Sequence, residues 1–419
     1  MVVLYAVLML IGAVSSSVKL FLLARLLTKN DFGEYSYINS IVMYAAPFVT
    51  FGLIEGMSRR FPILLGEGRT ADAYKLRNEA FRAAAMMAAL LTLAALLVSG
   101  ALQNILSRPL FFVTVLIAGE IWAYNAFLWG VRDLRSHLRT TSYAAVMCCK
   151  GIAEVAVIFY LAPRYGYVGV LLSEIVVWSV AAVIVFTKAM REVSFREGSI
   201  RSVVPLILEG AALSLAGILA NTARLSDRLI LGAFLPKSDY ADYAFHLLVI
   251  SAGAVAANVL NQYFWPRALH LYGSSGSDPA VVDRYLRRLT LGLTALGLAA
   301  APVVPFAFQF ATTHFFPTYH VNTILLLFLY GAAVFDVANF YPYFLLTVGK
   351  TDWFIAIHIA GAAVLAVGTF AVIFLKANLI FVGALAFLTR VLILIGTAVA
   401  THKLVARHVS LKVDEPLFE

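Results

Sequence analysis

Charge, cysteine and long polar stretches are all scarce in this 419-residue chain. Asp, Glu, Lys and Arg make up 13% of it, about half the share of a soluble domain. Cys148 and Cys149 are the whole cysteine content and stand side by side in an apolar run. That rules out a disulfide framework and a zinc site and leaves the redox compartment unread. HExxH is missing, and His314 and His320 are too few to hold a metal, so neither a metal site nor a catalytic residue is expected. Asp31-Phe32-Gly33 spells a kinase triplet without the other kinase motifs. Gly349-Lys350-Thr351 ends like a phosphate-binding loop, yet Phe344 stands where its first glycine should be, which excludes an ATPase.

What is abundant is apolar length. Hydrophobic residues form 62% of the chain and mean hydropathy is +0.87. About 20 apolar residues cross a bilayer core, and about twelve such runs occur. They lie near 1–27, 34–56, 82–101, 109–130, 141–162, 168–187, 203–234, 243–264, 288–310, 321–347, 353–375 and 379–401. The first has no basic leader and no small-residue cleavage site, so it reads as a span and not as a signal peptide. The expected fold class is an all-α polytopic membrane protein.

A net charge of +9 would suggest nucleic acid in a soluble protein, but its distribution gives it another meaning. With loops assigned to alternating sides, one side holds 21 Lys and Arg and the other five. The basic side is cytoplasmic by the positive-inside rule, and both termini with it. No nucleic-acid partner is implied.

Residues 27–37, LTKNDFGEYSY, return at 235–245 as LPKSDYADYAF, an offset of 208. Phe61-Pro62 is echoed by Trp265-Pro266. Internal repeats of this kind mark transporters. Six spans separate the copies, so both halves enter the membrane in the same sense. The expectation is two six-helix lobes, 1–187 and 203–401, related by a pseudo-two-fold axis along the membrane normal. Residues 188–202 form a cytoplasmic linker and 402–419 a cytoplasmic tail. The inward segments 57–82 and 265–288 read as matched surface helices, and Pro47, Pro205, Pro302, Pro305 and Pro342 fall within spans as kinks or hinges.

Ionisable residues inside spans cost about 2.5–3.5 kcal/mol each even on lenient insertion scales, so they pair or line a wet cavity. Lys150 and Glu154, four apart on one helix face, can neutralise each other. Arg25 and Glu55 lie near span ends and can snorkel, and Glu174 reads as similarly shallow. Lys19 and Asp227 occupy equivalent repeat positions, so either they meet across the lobes toward the outer face as a gate, or each is satisfied within its own lobe. Lys19, Arg224, Arg228 and Arg390 could build a cationic cleft for an anionic headgroup, because guanidinium forks fit phosphate oxygens. Asp336, Asn339 and Tyr343 read as a polar stripe on the tenth span. Glu120, Glu209 and Asp336 are candidates for proton or sodium coupling. No other cofactor is implied.

LLARLLTKNDFGEYSYINSI at 22–41, SDRLILGAFLPKSDYADYAF at 226–245, FFPTYHVNTILLL at 315–327 and the late GAL at 383–385 carry a resemblance to a known family. They are similar to Wzx-type oligosaccharide flippases, of the superfamily that also holds drug exporters and lipid II flippases. The chain departs from them in lacking their common basic leader. The resemblance implies alternating access and a polyprenyl-pyrophosphate-linked glycan moved from the cytoplasmic to the outer leaflet of a bacterial inner membrane. O-antigen or another surface polysaccharide would be the product, with membrane lipids and other polysaccharide-assembly proteins as partners. Its cationic cavity transfers by residue type to Lys19, Arg224, Arg228 and Arg390. A cation-coupled multidrug exporter is the nearest alternative, predicting binding carboxylates that outweigh the basic cleft. A membrane-embedded polymerase or ligase would need a long outer loop, and none is present.

Overall fold

A computed structural model describes residues 2–49, 52–83, 86, 108–136, 139–190 and 203–414. All the secondary structure among them is helical. The helices are α1 (Val2–Leu26), α2 (Lys29–Val49), α3 (Leu53–Gly66), α4 (70–83), α5 (Arg108–Ser136) and α6 (Thr140–Met190). They continue as α7 (Val203–Phe234), α8 (Lys237–Ser274), α9 (Pro279–Ala300), α10 (Val303–Phe315) and α11 (Thr323–Ala338). The last are α12 (Tyr341–Thr347), α13 (Thr351–Phe374) and α14 (Ile380–Asp414). Most of the third expected span, 82–101, and residues 191–202 of the expected linker lie outside the described residues.

Among the described residues, six helices are long and apolar enough to cross a membrane, or eight if two bent pairs count as single spans. One of the six, Thr140–Thr187, is 48 residues long, about twice what a bilayer needs. It is two spans folded at Gly166, whose φ of 57° and ψ of −141° break the helix. Contacts on either side show an antiparallel hairpin. Trp178 donates to Glu154, and Gly169 packs on the Leu161 carbonyl. That φ/ψ region is open essentially to glycine alone. Large apolar side chains such as Leu296, Phe306 and Phe374 stay 68–88% exposed, as expected of a surface facing lipid.

Two other breaks have chemical causes. Pro302 caps α10, and the α9–α10 pair bends by 50°. Between α11 and α12, Asn339 is extended (φ −79°, ψ 98°) and Pro342 sits in the first turn of α12. Pro342 has no N–H for the carbonyl of residue 338, and its ring would clash there. The expected stripe of Asp336, Asn339 and Tyr343 is therefore not formed. Asn339 bonds Thr397, while Tyr343 packs on Trp265. The segment 265–274 also differs from expectation, being the uninterrupted end of α8 and not a separate surface helix.

The repeated motif is a helix start in both copies. α1 ends one residue before Leu27 and α7 one before Leu235. Thr28 accepts from the Asp31 N–H at 3.1 Å and donates to its carboxylate at 2.8 Å. Thr28 thus acts as a capping residue, with an acid in the first turn. Asp239 takes the same first-turn place in α8, so Asp31-Phe32-Gly33 is a cap and not a kinase element.

The chain separates into two compact units. The first is Met1–Phe61, Thr70–Ser214 and Pro236–Ala241, and the second Pro62–Arg69, Leu215–Leu235 and Asp242–Glu419. In the first, Leu53, Ile54, Met57, Phe81 and Trp129 form a core. There the two motif copies also touch. Lys237 pairs with Glu34 at 3.5 Å and lies 3.9 Å from the Tyr37 ring centre. A Cβ at Gly33 would come within 2.1 Å of the Lys237 carbonyl oxygen, so this approach requires glycine. In the second unit, Phe340, Phe344, Leu286, Val282 and Phe354 are central to the core.

Candidate functional site

In the second unit α7, α11 and α14 bring three charged side chains together. Arg224 donates its Nε to Asp336 at 3.1 Å. The Nε of Arg390 lies 3.4 Å from the same carboxylate oxygen, and its Nη1 donates to the Ala223 carbonyl at 2.7 Å. Arg390 is ten residues into α14, and Arg224 is ten residues before the end of α7. At 1.5 Å per residue each is about 15 Å from its helix end, near the middle of a hydrocarbon core about 30 Å thick. Side-chain exposure is 45% for Arg224, 28% for Asp336 and 10% for Arg390. A charged pair this exposed at mid-depth faces water or ligand, because hydrocarbon would not accept it.

Arg228, one turn beyond Arg224, is within electrostatic reach of Arg390. Its buried Nε lacks a hydrogen-bond partner among the described residues. Asp227, between the two arginines in sequence, is buried and accepts from the Tyr243 hydroxyl. Arg224, Arg228 and Arg390 against Asp227 and Asp336 leave one positive charge in excess, a setting for an anion. Toward the start of α11, His246 accepts the Asn322 N–H at 2.9 Å. Tyr319 stacks on Phe245 with centroids 4.3 Å apart, and burial raises its phenol above the ordinary range. These contacts give the FFPTYHVNT stretch a packing role.

The first unit holds a different cluster, in which carboxylates outnumber cations. Lys19 of α1 donates to Glu174 of α6 and is 3.9 Å from Glu154. Tyr35 donates to Glu174 at 2.8 Å. Lys150 pairs with Glu154 at 2.7 Å, the neutralisation expected from their spacing, and lies 5.2 Å from the Trp178 ring centre. Glu120 of α5 faces Glu174 and Lys19. It is fully buried beside Glu174, with which it can share a proton in a hydrogen bond. Two ammonium groups meet three carboxylates here.

Several expectations are corrected by these partners. Lys19 and Asp227 each have a partner within their own unit. Glu174 meets Lys19, and Tyr243 meets Asp227. Lys19 therefore belongs to a carboxylate cluster, while Arg224, Arg228 and Arg390 share the anion-favouring one. Glu174 is 1% exposed, and one of its oxygens takes both Lys19 and Tyr35 inside the unit, so it does not stand alone at an interface. Glu55 binds Arg132 at 2.5 Å instead of reaching the interface alone. Asp336 is held by two arginines, and the side chain of Glu209 lies outside the described residues.

Sequence reasoning missed two features. Tyr35 and Tyr243, equivalent in the repeat, each donate to a buried carboxylate. Their identity in both copies was the available signal. Arg77 makes a buried two-pronged pair with Asp133, both bonds 2.9 Å, although Arg77 reads from sequence as a topological charge only.

A family model described as polysaccharide biosynthesis protein matches residues 2–265. No curated protein matches the chain. Among solved structures, the chain is similar to a mutant of the Vibrio cholerae MATE transporter VcmN, with a TM-score of 0.68 at 14% identity. That match covers 95% of this chain and 96% of the other. A MATE protein in complex with Br-NRF gives 0.69 at 12% identity, with 95% and 94% covered. An outward-facing multidrug resistance MATE family transporter of the MOP superfamily gives 0.64 at 13%, with 99% and 96% covered. At these identities the structures establish the fold, which is that of MATE transporters.

Proposed function

Because the chain belongs to the polysaccharide biosynthesis protein family, a multi-pass membrane transporter lineage of the MOP superfamily, we propose that it flips a lipid-linked oligosaccharide. The cargo is a polyprenyl-pyrophosphate-linked glycan, carried from the cytoplasmic to the outer leaflet of a bacterial inner membrane. Both termini lie in the cytoplasm, and other polysaccharide-assembly proteins supply and consume the cargo. The observation that carries this reading is the half-open Arg224–Asp336–Arg390 cluster at mid-depth. A pyrophosphate–sugar headgroup cannot cross hydrocarbon unaided, and guanidinium groups are the side chains best matched to its oxygens.

Coupling to a proton or sodium gradient belongs to the first unit. Its three carboxylates and two ammonium groups leave one negative charge, which one bound cation neutralises, and Glu120, set against Glu174, is the carboxylate at which that cation binds. A multidrug exporter is the second reading, supported by the MATE fold. It needs carboxylates free to meet an organic cation, whereas Glu154 and Glu174 are held by lysines and Asp336 by arginines. The deciding experiment deletes this protein in cells without a redundant flippase and probes which leaflet exposes the lipid-linked glycan. Accumulation on the cytoplasmic side is expected. Normal export in those cells would overturn the proposal.

A further inference from the structure

We propose that Asp336 is a resident anion: it occupies the arginine site while no cargo is present and is displaced from it by the cargo's phosphate. This rests on the reading of the site as one for an anionic headgroup. One carboxylate oxygen of Asp336 is shared between the Nε atoms of Arg224 and Arg390, at 3.1 and 3.4 Å. A phosphate oxygen bridging two guanidinium groups would take that same position. The three partners are not equally fixed. Arg390 is nearly buried and anchored by the Ala223 carbonyl, so it keeps its place whichever anion it faces. Arg224 and Asp336 are the exposed members, so exchange takes place on their side.

The physical need for such a device is specific to a carrier. Emptied of its cargo and without Asp336, the site would leave Arg224, Arg228 and Arg390 at mid-depth with Asp227 alone to offset three charges, and unpaired charge there is costly. A tethered carboxylate lowers that cost and can reset the site as the cargo leaves. It carries a single charge, so a pyrophosphate with at least two can outcompete it. Asp336 then taxes binding by the fraction of time the arginines are closed on it. It sets affinity and release, and it need not touch the cargo.

Asp336 lies near the C-terminal end of α11, two residues before the helix breaks ahead of Pro342. A partly exposed carboxylate can leave its arginines by turning about its own side-chain bonds, as displacement requires.

The test measures binding of geranyl pyrophosphate, inorganic pyrophosphate and the lipophilic cation tetraphenylphosphonium to the purified full chain in nanodiscs. Wild type is compared with Asp336→Asn, Asp336→Ser and Arg224→Gln, alongside glycan export in cells. If the arginines are closed about nine-tenths of the time, removing the competitor tightens geranyl pyrophosphate binding about tenfold, and export falls because release slows. Arg224→Gln weakens the same binding. Asp336→Ser serves if Asp336→Asn does not fold, since either variant removes the charge. Pyrophosphate binding that depends on Arg224 but is unchanged or weakened in both Asp336 variants overturns the resident-anion role and leaves the flippase reading standing. Cation binding that is lost with Asp336, together with no pyrophosphate binding by wild type, overturns both. Tightening for inorganic pyrophosphate as well as the prenyl compound supports exchange at the phosphates, whereas tightening confined to the prenyl compound overturns it.

Discussion

The two clusters of buried charge use one frame in opposite ways. In each half a tyrosine from the repeated motif, Tyr35 or Tyr243, donates to a carboxylate on a neighbouring helix. In the second half that carboxylate is Asp227 of α7 itself. In the first, the equivalent position on α1 is Lys19, and the carboxylate comes from Glu174 of α6. The substitution makes the first cluster a set of acids closed around an ammonium, with Glu120, Glu154 and Glu174 at most 1% exposed. The second cluster is a set of arginines closed around a carboxylate and partly open. Arg224 and Arg228 correspond in the repeat to Ser16 and Leu20, so these arginines stand in one copy only. A duplicated scaffold can keep its hydrogen-bonding geometry while one half stores charge and the other handles a ligand.

This contrast can be broken most severely at Lys19. Lys19→Met strips Glu174 of its counter-charge in a sealed site and should cost about 3–5 kcal/mol, read as a loss of thermal stability in detergent. A melting temperature equal to wild type would mean that the first cluster is as open as the second. Next come the paired tyrosines. Tyr35→Phe and Tyr243→Phe each remove a hydrogen bond to a carboxylate, worth about 1.5–3 kcal/mol. If the two clusters are independent, the double variant loses the sum of the single losses. Unequal single losses would show which carboxylate depends more on its tyrosine.

Arg224→Gln should change stability by less than about 1 kcal/mol, since its ion pair is half-exposed, yet abolish glycan export. A stable protein with normal export would remove the functional half of the comparison. Smallest in stability is Glu120→Gln. It deletes the one carboxylate in excess, so melting should stay at or slightly above the wild-type value. Transport driven by an imposed cation gradient should lose its dependence on that gradient.

Much of the fold is legible in sequence because a membrane span is a local property. Twenty apolar residues declare themselves wherever they occur, and the echo at 27–37 and 235–245 fixes corresponding helix starts. Partner choice is not local. Lys19 finds Glu174 across 155 positions, and nothing near either residue specifies the other. A charge can therefore be recognised as needing a partner within its own lobe while the partner itself goes unnamed, as with Lys19 and Asp227. Arg224 and Arg390 could be placed at one kind of site because both are arginines at mid-span. Their bridging by Asp336 depends on how α7, α11 and α14 pack. The stripe on the tenth span failed for a local reason that was in view. Pro342 withholds the donor needed by the preceding turn, so helical spacing could not be extended past Asn339.

The turn at Gly166 has a consequence for how the protein enters its membrane. The two arms of α6 lie against each other, with Glu154 reaching Trp178 and Lys150 stacking near the same ring. Each arm carries ionisable groups that would be expensive if it entered lipid alone. Lys150 and Glu154, both on the first arm, offset each other, Glu174 of the second arm is met by Lys19 of α1, and the connecting tip carries Arg164. The segment 140–190 is thus neutralised only together with α1, and the three spans form one charge-balancing group. The residue that permits the reversal is a glycine because its φ of 57° and ψ of −141° are closed to residues with a side chain.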